Sequence, residues 1–126
     1  MAEKIGLREK LVPVRVSSLN DLARMAASIV TLGQTAYLIR FESGGKLVYG
    51  LVALLRDYYD LYGLPILYYC TREASDDERK KHYLLVKVDE QGEHVMLSET
   101  AKPGWVTVPI IDIVEKPSFF PDDIRV

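Results

Sequence analysis

The chain has 126 residues, 48% of them hydrophobic and 27% charged, with a net charge of −2 and one cysteine. A domain of this length hides roughly two-thirds of its unfolded surface, so it can carry its own core. Its longest apolar runs, such as "LVYGLVALL" at 47–55, are about half the ~20 residues a bilayer span needs, and a lone cysteine excludes an internal disulfide.

The chain reads as a single domain over 1–126, with a basic N-terminal arm at 1–10 and an extended C-terminal tail at 115–126. "LVPVRV" at 11–16 is a short β-branched strand, and Pro13 confines it to a sheet edge or a bulge. "SSLNDLARMAASIVTLG" is the clearest helix. Ser18 is a good N-cap, and Leu19, Leu22, Met25, Ala26, Ile29 and Val30 recur at helical spacing. Gly33 supplies the stop. "TAYLIRFE" at 35–42 follows as a strand with Tyr37, Ile39 and Phe41 on one face. Ala36, Leu38, Arg40 and Glu42 lie on the other.

The segment after "SGGK" admits two readings. "KLVYGLVALL" could pair back as a hairpin strand. On a helical wheel, however, Leu47, Leu51, Leu54, Leu55, Tyr58, Leu61 and Tyr62 share a face, and the pattern ends at Gly63. Length favours a helix over 47–62. "LPILYYCT" at 64–71 is a strand apolar on both faces, so 35–71 is a candidate βαβ unit.

"EASDDERKK" is a polar loop with room for one helical turn begun by Ser75. "HYLLVKV" and "HVMLSE" form a hairpin through "DEQG". "WVTVPIIDIV" is the last strand, with Pro109 at an edge or bulge. The fold expected is α+β: about two helices packed on a mixed, largely antiparallel sheet of five to six strands.

The charge is uneven. Residues 1–56 carry 8 Lys/Arg against 4 Asp/Glu, and residues 57–126 carry 8 against 14, so a +4 half adjoins a −6 half. The simplest expectation is that the halves neutralise each other in the fold. Asparagine occurs once and glutamine twice, a depletion that fits selection for heat. In composition the chain resembles small proteins of hyperthermophilic archaea or their viruses. That resemblance implies a structural or assembly role as one alternative and carries over no site residues.

Few residues can support catalysis. The two histidines, His82 and His94, fall far apart along the 82–99 hairpin. Register places His94 opposite Val88, or, slipped by one, Glu99 opposite His82. No zinc-ligand spacing occurs, and no metal or cofactor is expected. An enzyme would have to build its site around Cys70, His82, Tyr83 and Glu99, with Cys70 on a strand expected to be buried. "ESGGKL" lacks the first glycine and the hydroxyl residue of a P-loop, which leaves Lys46 and the glycines as a generic anion contact. Asp76, Asp77 and Glu78 read as a solvated acidic loop.

Binding is the better expectation. Lys4, Arg8, Lys10 and Arg15 form a basic arm able to follow a nucleic-acid backbone by charge. Phe119 and Phe120, bracketed by Pro117 and Pro121, either fold back onto the domain or dock on another chain. Tyr59 is the exposed tyrosine of "RDYYDLYG" worth testing for partner contact. The sequence therefore points to a small binding module with a protein partner, self-association or nucleic acid. A charged N-terminus without an apolar h-region suggests the cytoplasm, or a host cytoplasm if viral, and no membrane.

Overall fold

A computed structural model describes residues 12–53, 66–118 and 120. The elements run β1 (Val12–Arg15), α1 (Leu19–Thr31), β2 (Ala36–Ser43), β3 (Lys46–Ala53), β4 (Ile66–Glu73), α2 (Asp76–Arg79), β5 (Tyr83–Asp89), β6 (Gly92–Ser98) and β7 (Val106–Asp112). The strands form one curled, mixed half-barrel sheet in the order β1-β4-β3-β2-β7-β5-β6. α1 sits in its concavity and touches β2, β3, β4, β5 and β7.

This overturns the expectation of two helices on five to six strands. Among the described residues there are seven strands, one helix of 13 residues and one of 4. The miss lies mainly at 46–53. These residues form no helix. They pair antiparallel with β2, from Ser43↔Lys46 to Ala36↔Ala53. Gly44 and Gly45 turn the hairpin with φ of 60° and 78°, the left-handed pair that a two-residue hairpin loop requires. β3 then pairs antiparallel with β4, so the described strands of 35–71 form an antiparallel run in place of the expected βαβ unit. The leucine spacing imitated a helix because β3 is covered on both faces and reads as a continuous apolar run. The second half of the expected helix, 54–62, lies outside the described residues.

The other elements follow their local chemistry. Ser18 caps α1 by accepting from the Asp21 N–H at 3.3 Å, and Gly33 ends it with φ of 85°. Leu19, Leu22, Ala23, Ala26 and Ile29 are buried, with Met25 and Val30 packed beside them. Ser75 caps α2 through the Glu78 N–H. Pro13 lies on β1, a terminal strand of the sheet that pairs in parallel with β4. Pro109 marks a handover. β7 pairs with β5 up to Pro109 and with β2 from Ile110 onward, so the missing N–H falls where the strand changes partner.

Two cores line the two faces. α1 covers Leu38, Leu47, Tyr49, Leu51, Cys70, Leu84, Val108 and Ile110. On the opposite face Ile39, Phe41, Val48, Leu67 and Tyr69 pack with Phe120. Tyr68 and Tyr69 therefore fall on opposite faces, as consecutive strand residues must. Phe120 meets Phe41 edge-on at 5.1 Å and rests on Gly50, where an added Cβ would lie 2.6 Å from its ring. The two charge halves meet through Arg24–Glu93, Arg40–Asp112 and Lys46–Glu73. Among the described residues no helix is long and apolar enough to cross a membrane.

Candidate functional site

The polar centre of the molecule is Arg40, 1% exposed. β2 alternation aims it into the α1 side of the sheet, between its cross-strand neighbours Tyr49 on β3 and Asp112 on β7. A guanidinium in such a place must give away all of its N–H groups. It does so. Nε and Nη2 donate to the two Asp112 oxygens at 2.6 and 3.0 Å. Nη1 donates to the Glu78 carbonyl at 3.0 Å and to the Tyr49 hydroxyl at 3.5 Å, and Nη2 donates also to the carbonyls of Arg79 at 3.2 Å and Lys81 at 2.8 Å. Burial alone would lower the Arg40 pKa, but its bonds to Asp112 and Tyr49 outweigh this and raise it. Arg40 thus holds the C-terminal end of α2 against the sheet, a cation where the last carbonyls of a helix need donors.

α2 in turn brings Glu78 inward. Its carboxylate, 10% exposed, accepts from the Tyr49 hydroxyl at 2.5 Å and pairs with Arg72 Nε at 3.0 Å. Burial, then the Glu78 carboxylate, pushes the Tyr49 hydroxyl well above the ordinary tyrosine range. A relay therefore runs from the core to the surface: Tyr49, Glu78, Arg72. Arg72 is 44% exposed, and its two terminal nitrogens have no partner among the described residues.

Arg72 and Glu78 open onto a cleft of about 340 Å³. One wall is the outermost strand, through Val95, Met96 and Leu97. Leu19 and Asn20 of α1, Ser75 and Asp77 of α2, and Lys81 make up the rest. The cleft is the seam of the half-barrel, where the last strand of the curled sheet comes round toward the end of β4. A second cleft of about 300 Å³ lies by Arg40, Glu42, Arg79 and Asp112, and the Arg40 guanidinium there is already engaged by Asp112.

The two ends of the sheet differ. β1 is four residues long and carries Pro13 and Arg15, both features that blunt an edge. β6 is seven residues long and has no proline and no lysine. Its two charged or titratable side chains are engaged from within, Glu93 by Arg24 at 3.3 Å and His94 by Asp89 at 2.9 Å. Among the described residues its outer edge pairs with nothing. Met96 on this edge is 39% exposed.

The enzyme candidates do not converge. Cys70 is buried on β4 in the α1-side core, and burial pushes its thiol up to about 12. β3, β2 and β7 separate β4 from β5 in the sheet. His82 is exposed just before β5, and its N–H bonds to the Ser98 carbonyl at 2.9 Å. Tyr83 opposes Ser98 on β6 and Pro109 on β7. Glu99 pairs at 3.7 Å with Lys81. The hairpin takes the slipped register, with His94 opposite Lys87 and Val88 opposite Glu93. Among the described residues no three metal-ligating side chains cluster.

Of the expected binding residues, Lys4, Arg8, Lys10, Phe119 and Tyr59 lie outside the described residues. Arg15 donates to Thr71 Oγ1 at 2.7 Å. Phe120 is 2% exposed against its own chain. Lys46 pairs with Glu73 at 3.4 Å beside the Gly44–Gly45 turn. Arg40, Tyr49, Arg72, Glu78, Lys81 and Asp112 are the site residues that sequence reasoning missed. For Arg40 there was a signal: a lone arginine sharing a strand face with Ala36 and Leu38. For Glu78 there was none, since it sits in a run of charges. No protein-family model matches the chain, and no curated protein or solved structure is similar to it at a significant level.

Proposed function

We propose that the chain is a non-catalytic interaction module that takes up an extended segment of a partner protein by strand addition at the outer edge of β6. The observation that carries this reading is the contrast between the two sheet ends. Natural sheets guard their edges with short strands, prolines and charges, because an open row of N–H and C=O groups templates pairing. β1 is short and carries Pro13 and Arg15, whereas β6 is longer, has no proline, and has its Glu93 and His94 tied back to Arg24 and Asp89. A seven-residue edge with exposed Met96 beside an open cleft is the geometry of strand addition, in which backbone bonds supply affinity and adjacent pockets supply selectivity.

The reading also accounts for the chemistry. Arg40, Tyr49 and Glu78 spend their polar atoms on each other and on α2, and the Cys70 thiol is buried and protonated. The test is a backbone amide spectrum titrated with a capped peptide of alternating threonine and valine. Residues 92–98 should shift and lose exchange with solvent, and Met96→Lys should abolish both effects. Unmoved β6 amides at millimolar peptide would sink the reading.

A further inference from the structure

Resting on that strand-addition reading, we propose that the added segment ends in the cleft. The cleft receives the C-terminal residue of the partner, its carboxylate on Arg72 and its apolar side chain against Leu19, Val95 and Leu97.

Charge complementarity carries the assignment. Arg72 gives Nε to Glu78, which Tyr49 holds in turn, so the guanidinium plane is fixed before any ligand arrives. Its two terminal nitrogens, without a partner among the described residues, form the fork that matches a carboxylate in two parallel hydrogen bonds. Lys81 adds a second positive charge from the same cleft, where it pairs with Glu99 at 3.7 Å. Glu78, which also lines the cleft, turns its oxygens to Arg72 Nε and the Tyr49 hydroxyl.

The carboxylate belongs to a chain end and not to an acidic side chain. Successive residues of an added strand point to opposite faces. An internal glutamate aimed at Arg72 would turn both of its neighbours away from Leu19, Val95 and Leu97. The last residue of a chain carries a carboxylate and an apolar side chain on one Cα, which is what a cleft with one cationic corner and one apolar wall accepts. Asp77 opposes this charge pattern, because it lines the cleft and its carboxylate has no partner among the described residues.

The test compares acetyl-Thr-Val-Thr-Val-Thr-Val as the free acid and as the amide, both titrated into the full chain and followed by backbone amides and the Arg72 Nε–H. The free acid should bind about tenfold more tightly and should alone shift the Arg72 signal. Arg72→Lys, which keeps the charge and loses the fork, should remove most of that preference. Asp77→Asn, at an exposed position, should strengthen binding of the free acid more than that of the amide. Equal binding of acid and amide at β6 would overturn the chain-end assignment and leave strand addition standing. If neither peptide moves residues 92–98, both readings fail. A concentration-dependent dimer that Met96→Lys dissociates, with neither peptide bound, would assign the edge to a second copy and overturn both as well.

Discussion

Replacing Arg40 by methionine tests the buried network most directly. The side chain keeps an unbranched apolar stem, ends where the guanidinium begins and loses every donor. Three carbonyls, those of Glu78, Arg79 and Lys81, lose their arginine partner, and Asp112 loses a two-point contact. Asp112 is 56% exposed, so water takes over its oxygens at small cost. Tyr49 keeps its bond to Glu78. The loss therefore falls on the carbonyls, each costing about 1–3 kcal/mol when stranded. The buried arginine's own desolvation is recovered in part. The balance is about 3–5 kcal/mol, the usual cost of breaking a buried charged network from one side. With a urea slope of about 2 kcal/mol/M, the midpoint should fall by about 2 M at an unchanged slope. Asp112→Asn should cost about 1–2 kcal/mol, because the exposed partner has an alternative in water. Equilibrium unfolding followed by Trp105 fluorescence and far-ultraviolet dichroism reads both variants. A loss below about 1 kcal/mol for Arg40→Met would mean that α2 does not depend on the arginine, and the reasoning would be wrong.

Gly50→Ala should destabilise by about 1–3 kcal/mol, because its Cβ would fall 2.6 Å from Phe120 Cζ. Combined with Phe120→Ala the glycine effect should largely vanish, and persistence of the full cost would place the strain elsewhere. Cys70, its thiol at about 12 through burial, should resist a thiol reagent at pH 8 in the native state and react only as fast as the chain opens. Since that folded pKa lies above the unfolded value of about 8.5, Cys70 contributes its stability below about pH 8.5 and loses it as the pH climbs toward 12. Denaturant midpoints of wild type and Cys70→Ala should converge in slope with pH above 9 only if this is wrong. Asp89 is held below the usual carboxylate range, first by His94 and then by the Gln91 N–H. Its stabilisation is therefore present above about pH 4 and lost as acid protonates it. Asp89→Asn should flatten the acid limb of a stability profile, and an unchanged limb would count against the pairing.

Much of the local structure was legible in the sequence because its causes are local. Ser18, the 3.6-residue spacing of Leu19 to Val30, and Gly33 specify α1 without reference to the rest of the chain. The alternation of Tyr37, Ile39 and Phe41 against Ala36, Leu38 and Arg40 assigns each β2 residue to its face. Ser75 announces α2. The failure at β3 was a competition between two periodicities. Its leucines fit a helical wheel, while the strand signal lay in the turn: a Gly–Gly pair followed by Val48, Tyr49 and Val52. Turn geometry outweighed the wheel because residues covered on both faces carry no alternation to oppose it. The site was less legible for a different reason. Arg40, Asp112 and Glu78 are 38 and 72 positions apart in pairs, and only the sheet order brings them together.

That sheet order also explains why the buried network and the open edge belong to one device. α2 is a single turn, too short to be stable alone. It persists because Arg40 takes its carbonyls and Tyr49 takes the Glu78 carboxylate. The same Glu78 then orients Arg72 at the cleft, and α2 itself supplies the wall facing β6. The edge strand could template pairing without any of this, since its N–H and C=O groups are its own. The cleft could not exist without it. Strand addition and chain-end recognition should therefore separate under Arg40→Met. In conditions where the variant remains folded, the peptide amide should still perturb residues 92–98, while the preference for the free acid should disappear together with the Arg72 shift. Loss of amide binding as well would mean that α2 supports the edge directly. Retention of the acid preference would mean that Arg72 is positioned without the relay.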